Sequence, residues 1–310
     1  MNMVKTVLNS GNYPAMLTPY TKDNKVDYNA VAALTKWYAE KGCDGIFCDC
    51  LSSEIYFLSL EERLEIARTT LANAPEGVDV VVSGHSTDDI DLAITELSEI
   101  AKLKPKALIL IVNRLAKQDE DDEVLKANAM RIMKALPEDL PLGLYEAPLP
   151  YSRLLSPELL RWFADTGRFI FLKDTCCRAD EIKAKLKAIK GTPLKLYNAN
   201  TATLLETLDD GAHGYCGVMC NYHPELYKKL FYMDDYKCEE AVALQNMLSV
   251  MSLIQYQMYP LNAKYYLQRL GLPIESWHCR SRKDDTMDEK SLMLETDQLI
   301  ALTEEYISRG

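Results

Sequence analysis

The chain reads as an α/β protein, a (β/α)8 TIM barrel with a C-terminal helical extension. Three observations predict this. Eight short apolar runs alternate with amphipathic stretches from residue 13 to residue 218. No linker or low-complexity tract interrupts them, as expected of a βα-repeating domain. No G-x-G-x-x-G follows the first run, which removes the main sign of a doubly wound open sheet. The predicted strands are 13–18, 44–49, 78–84, 106–112, 140–145, 168–173, 193–198 and 213–218. The predicted helices are 28–40, 60–72, 88–102, 120–136, 157–164, 179–190 and 202–209, each with apolar residues at helical spacing. Val31, Leu34, Trp37 and Tyr38 form the stripe of the first. Ser156 before Pro157 marks a helix start, with serine as N-cap and proline in the first turn. Beyond residue 224 the strand pattern stops, and 239–256, 260–270 and 290–306 read as helices. The chain therefore divides into a barrel, 1–223, and a helical extension packed on it, 224–310.

Composition narrows the function. A chain of 310 residues, 48% hydrophobic, has ample material for a core. Its formal charge of −11 argues against nucleic acid and against an anionic membrane surface, both of which need a basic footprint. No apolar run approaches the roughly 20 residues of a membrane span, and the first five residues lack the apolar stretch of a signal peptide. Nine cysteines is an odd number, and a chain of this size needs no disulfide scaffold. They read as reduced thiols of a cytoplasmic protein.

Two strand ends carry the chemistry. Phe169-Ile170-Phe171-Leu172 runs into Lys173, and the preceding strand ends in Tyr145. Lysine is seldom buried unless paired or functional. Desolvation lowers the pKa of an amine and makes it a nucleophile, and barrel enzymes keep their chemistry at strand C-termini. A strand-end lysine that merely snorkels to water is the plain alternative. A core tyrosine with a satisfied hydroxyl is the plain alternative for Tyr145.

Several segments resemble one family, the dihydrodipicolinate synthase and N-acetylneuraminate lyase group of class I aldolases. They are Tyr13-Pro14-Ala15-Met16-Leu17-Thr18-Pro19-Tyr20, Gly42-Cys43-Asp44-Gly45-Ile46-Phe47, Tyr145-Glu146-Ala147-Pro148, Lys173-Asp174-Thr175, Gly211-Ala212-His213-Gly214 with Asn221, and Tyr259-Pro260-Leu261-Asn262-Ala263-Lys264 with Leu270-Gly271-Leu272-Pro273. Ser52-Ser53-Glu54 stands where the family has its Gly-Thr-Thr-Gly-Glu loop. The resemblance implies that Lys173 attacks the keto carbon of pyruvate or a related 2-oxo acid, and that Tyr145 relays protons. It implies that Leu51, Ser52 and Ser53 bind the acid's carboxylate through backbone N–H groups and a hydroxyl, with Cys216 on strand eight completing the substrate-binding set. Glu54 is expected to brace loop amides. A polar loop that simply caps the next helix is the alternative for this segment. No metal or organic cofactor is implied, because the imine itself is the electron sink. A homotetramer, or at least a dimer, is implied.

The chain also departs from the family pattern. Leu51 replaces the hydroxyl that links to the relay tyrosine, and Val112 stands where the synthases send a tyrosine across a dimer contact. Pro150 replaces their carboxylate-binding arginine. Thr201 and Ala202 replace the Asp-Glu pair of the sialic acid lyases. Gly217 does resemble the lyases' eighth strand. The second substrate is therefore expected to be neither aspartate semialdehyde nor sialic acid, with Arg153, Asn200 or Asp49 as substitute contacts. His85, at the end of strand three, is a candidate acid/base, although a hydrogen-bonded loop histidine is favoured. Asp49 lies in an apolar run and needs a partner: a substrate group, Arg114 or Lys173. Cys48, Cys50, Cys176, Cys177, Cys216 and Cys220 are expected near one barrel end, at spacings that do not match zinc knuckles. A non-catalytic 2-oxo-acid sensor on the same barrel is the rival function. Leu51 and Val112 favour it, and Tyr145 with Lys173 opposes it.

Overall fold

We describe a computed structural model over residues 6–282 and 289–309. The first five residues, read above for a leader, lie outside the described residues. The eight strands are β1 (Gly11–Asn12), β2 (Gly45–Cys48), β3 (Asp79–Ser83), β4 (Ala107–Ile111), β5 (Leu142–Tyr145), β6 (Phe169–Asp174), β7 (Lys195–Asn198) and β8 (Gly214–Tyr215). All pair in parallel, in the order β1-β8-β7-β6-β5-β4-β3-β2. The ring closes between β1 and β2 through an isolated bridge, Ala15 to Phe47, and through the Asp44 N–H on the Asn12 carbonyl at 3.0 Å. At the β1–β8 seam Gly214 has φ +150°, and a Cβ there would lie 1.9 Å from the Gly11 carbonyl oxygen. Only glycine allows that approach.

Strand alternation sorts the core into two clusters. Phe47, Val81, Ile109, Ile111, Tyr145, Phe171 and Tyr197 point into the barrel. Ile46, Cys48, Val80, Val82, Leu108, Leu110, Leu144, Leu172 and Leu196 face the surrounding helices. Those helices are α1 (Tyr28–Glu40), α2 (Leu60–Asn73), α3 (Ile90–Ala101), α4 (Asp122–Ala135), α5 (Pro157–Asp165), α6 (Ala179–Ile189), α7 (Leu204–Asp209) and α8 (Pro224–Phe231). Caps fix their starts. Asp27 accepts from the Ala30 N–H, and Ser156 from the Leu159 N–H as predicted. Ser59 and Glu62 form a reciprocal capping box.

The sequence reading differs from the structure at the seams. The first strand pairs at Gly11–Asn12, before the predicted run 13–18, which keeps a single bridge to β2 at Ala15; Pro14 has no N–H to donate there. The eighth ends at Tyr215, and Val218–Asn221 coils into a 3₁₀ turn. Helix α8 was not predicted, yet Pro224 lies in its first turn and Leu226, Tyr227 and Leu230 form its buried stripe. Expected helix 239–256 is α9 (Glu239–Met251) followed by a 3₁₀ segment, Ser252–Tyr256. The chain closes with α10 (Leu261–Arg269) packed on α11 (Glu289–Arg309). No described helix is long and apolar enough to cross a membrane.

Candidate active site

The ends of β5 and β6 set the site. Ile111, Tyr145, Lys173 and Tyr197 are successive register partners across β4, β5, β6 and β7, so their side chains share the inner face. Lys173 is 3% exposed. Its Nζ lies 4.8 Å from the Tyr145 ring centroid and 5.3 Å from that of Phe47. Among the described residues no carboxylate reaches it. Tyr145 is likewise buried, and desolvation holds its phenol well above its ordinary range, with Cys50, Cys216 and Tyr56 adding to the shift. It is a neutral proton donor. Burial pushes the Cys216 thiol up to about 12 against the opposing pull of Lys173, so Cys216 is a neutral neighbour of the amine.

The next residue on each strand points outward. Glu146 and Asp174 both accept from Lys185 of α6, each at 2.6 Å. Glu146 also takes the Leu155 N–H at 2.8 Å. Burial and the neighbouring Asp174 raise the Glu146 carboxyl to about 7, against the opposing Lys185. Burial alone would lower the Lys185 ammonium, but Glu146 and Asp174 outweigh it and raise it. Sequence reasoning missed this network. The signal was a lysine between Ile182 and Ile189 on the buried stripe of α6.

The loop after β2 forms the facing wall. Asp49 (φ +53°) and Glu54 (φ +63°) bracket it in the left-handed region, which is costly for non-glycine residues. The Ser53 N–H is committed to the Cys50 carbonyl at 3.0 Å, and its hydroxyl donates to the Met16 carbonyl at 2.6 Å. The N–H groups of Leu51 and Ser52 have no acceptor among the described residues. Ser52 makes a side-chain hydrogen bond with Tyr259, whose hydroxyl accepts from Asn221 at 3.1 Å. Glu54 braces the loop, but through the C-terminal extension. It pairs with Lys264 at 2.9 Å and accepts the Ser281 N–H at 2.8 Å.

The substitute contacts fall elsewhere. Arg153 is held by Asp122 and by the Lys117 and Glu120 carbonyls. Asn200 accepts from the Thr203 N–H and hydroxyl. His85 is wholly buried, and its Nε2 accepts from the Ile111 N–H at 2.8 Å. Burial, the first cause, lowers its pKa to about 4. It is a neutral brace for β4 with its acceptor nitrogen occupied. Asp49 reaches neither Lys173 nor Arg114. Both its oxygens are buried without a hydrogen-bond partner, and burial raises its pKa despite Arg63. Thr201 Oγ1 lies within hydrogen-bond distance of the Tyr215 and Tyr227 hydroxyls, at 3.0 and 2.8 Å. All nine cysteines are free, but the six expected together are split between the two core clusters and the surface. Cys50 and Cys216 face the interior, Cys48, Cys176 and Cys220 face the helices, and Cys177 is exposed.

The sequence profile of the dihydrodipicolinate synthetase family matches residues 9–296. A 4-hydroxy-tetrahydrodipicolinate synthase of Prochlorococcus marinus is 27% identical over 262 residues, 83% of this chain and 84% of that one. One from Polynucleobacter asymbioticus is 25% identical over 270 residues, covering 84% and 85%. Among solved structures, a prophage protein of the dihydrodipicolinic acid synthase family from E. coli K12, in complex with pyruvate, superposes with TM-score 0.82 at 21% identity over 94% of this chain and 98% of that one. The Clostridium difficile protein CdNal, in complex with mannosamine, superposes with TM-score 0.83 at 16% identity over 95% and 99%. These low identities carry the fold, and the profile carries the family: the chain is a divergent member of the dihydrodipicolinate synthetase family, a family of lyases.

Proposed function

We propose that the protein is a Schiff-base lyase or aldolase acting on pyruvate or a related 2-oxo acid, with Lys173 as nucleophile and Tyr145 as proton relay. The observation that carries this is a buried lysine with no carboxylate beside it among the described residues, facing a neutral phenol. Phe47 and Tyr145 hold the amine 5.3 and 4.8 Å from their ring centroids. The neutral amine adds to the keto carbon, the carbonyl oxygen takes up protons, and water departs. The resulting iminium carbon accepts the electron pair of the adjacent C–H or C–C bond when that bond breaks. In the forward sense the enamine carbon bonds to an aldehyde carbon, and the aldehyde oxygen takes a proton that Tyr145 delivers. Water then hydrolyses the imine and frees Lys173. The open N–H groups of Leu51 and Ser52 are the donors for the acid's carboxylate.

The second substrate is neither aspartate semialdehyde nor sialic acid on this reading, since Pro150 offers no donor and Thr201 is occupied by two tyrosines. The reading also includes a cytoplasmic homo-oligomer, dimer or tetramer, which light scattering tests. Leu51 favours the alternative of a sensor that binds the acid without turnover. Incubation with pyruvate and borohydride, followed by peptide mass analysis, tests the central claim. A reduced pyruvyl adduct on Lys173 is expected. Labelling elsewhere, or none, overturns it.

A further inference from the structure

The C-terminal extension holds the loop after β2 at several points. Lys264 pairs with Glu54 at 2.9 Å, and Glu54 also accepts the Ser281 N–H at 2.8 Å. Arg280 donates to the Phe57 carbonyl at 3.1 Å and pairs with Glu62 at 2.8 Å. A further contact, from Tyr259 just before α10, falls on the Ser52 hydroxyl. Ser52 is 5% exposed, and its N–H, like that of Leu51, has no acceptor among the described residues.

Proton counting fixes the direction of the Tyr259 contact. Asn221 places its Nδ2 at 2.9 Å from both the Ala15 and the Val218 carbonyl oxygens. Two carbonyls can face only the NH2 end of an amide, so Oδ1 is the end that accepts the Tyr38 hydroxyl. The same Nδ2 stands 3.1 Å from the Tyr259 hydroxyl. The tyrosine oxygen is therefore the acceptor in that bond, and its single proton is left for another partner. Burial holds this phenol well above its ordinary range, so the proton stays on it. Ser52 is the partner within reach. A serine oxygen that accepts from Tyr259 turns its own proton away, free for a group in the site. In the opposite arrangement, with Ser52 donating to Tyr259, the serine would present lone pairs to an incoming anion.

We propose that Tyr259 is a positioning residue that fixes the Ser52 hydroxyl as a donor to the carboxylate of the 2-oxo acid. The donors run in one direction, from Tyr38 of α1 to Asn221, to Tyr259 of the extension and to Ser52. The oriented hydroxyl adds a third donor to the open N–H groups of Leu51 and Ser52, and a donor already in place needs no ordering when the anion arrives. The inference rests on the reading of this wall as the carboxylate site and adds a residue of the extension to it.

The test uses the full chain and two ketones that differ at one group. Pyruvate has a carboxylate where hydroxyacetone has a hydroxymethyl group. Borohydride labelling of Lys173 gives the half-saturating concentration of each. Tyr259→Phe should raise the pyruvate value about 10-fold and Ser52→Ala about 10- to 100-fold, the range of a hydrogen bond to a charged group. The hydroxyacetone value should stay unchanged in Tyr259→Phe, which a general loosening of the loop would not allow. Both substitutions break one bond, so the double variant should be no weaker than Ser52→Ala alone. An unchanged pyruvate value in either single variant, an equal rise for both ketones, or additive losses in the double variant overturns the proposal. If hydroxyacetone does not label, the pyruvate values of the single and double variants decide. No labelling of the wild type by pyruvate overturns the Schiff-base reading instead, and calorimetric binding of pyruvate then decides the role of Tyr259. Binding that Tyr259→Phe and Ser52→Ala both weaken supports it, and no binding or equal binding overturns it.

Discussion

The inner and outer faces of the β5 and β6 tips hold the same kinds of group and treat them in opposite ways. Outside the barrel, Lys185 is shared by Glu146 and Asp174 at 2.6 Å each. Inside, one residue earlier on each strand, Lys173 and Tyr145 face each other with no carboxylate among the described residues. The described residues include three lysines at or below 3% exposure: Lys173, Lys185 and Lys264. Lys185 and Lys264 are tied to carboxylates. The two paired lysines brace the fold, and the unpaired one is the nucleophile proposed above.

The comparison can be broken from either side. Lys185→Met should strand two carboxylates in a dry site and cost about 3–5 kcal/mol, the usual penalty for removing one partner of a buried pair. Denaturant unfolding measures it, and a loss below about 1 kcal/mol would mean that water reaches the network. Its carboxylates should also give a pH signature. The folded pKa of Glu146 is raised from 4.5 to about 7. Stability linked to it is therefore full below about 4.5 and lost as pH rises through about 7, by at most about 3 kcal/mol. In Glu146→Gln that decline should vanish in unfolding midpoints taken across this window.

On the inner face, Tyr145→Phe should lower kcat about 10²-fold, the scale of a lost general acid/base. His85→Ala should lower it less, because His85 acts through the Ile111 N–H. The reverse order in steady-state assays would return the relay to His85. The smallest effect is expected for the stability of Lys173→Met. Removing an unpaired amine from among aromatic rings should change unfolding free energy by less than about 1.5 kcal/mol, or raise it. A loss as large as that of Lys185→Met would show that Lys173 has a partner after all.

Much of this architecture was legible in the sequence. Short continuous apolar runs bury both faces and period-3.6 stripes bury one, and eight such βα units with no G-x-G-x-x-G after the first favour a barrel over a doubly wound open sheet. Strand ends were less legible. Pro14 and Gly214 weaken pairing at the seam, and pairing there is set by neighbours rather than by the run itself.

The sequence by itself determined that Lys173 and Tyr145 stand at neighbouring strand tips, and that Leu51, Val112 and Pro150 break the family pattern. Strand parity is a property of the register, and register follows from long-range pairing. Only the tertiary structure could therefore place Lys173 inward and Asp174 outward. Cys48 and Cys50, two apart, would share a strand face, and the left-handed turn at Asp49 sends the first to the helices and the second to the inner cluster. Contacts between segments far apart in the chain were beyond sequence reasoning for the same reason. Lys264 pairs with Glu54 across 210 positions, Lys185 with Glu146 across 39, and Arg114 lies on Tyr56. Local propensity carries no information about such partners, and burial energetics decides them once the barrel has closed.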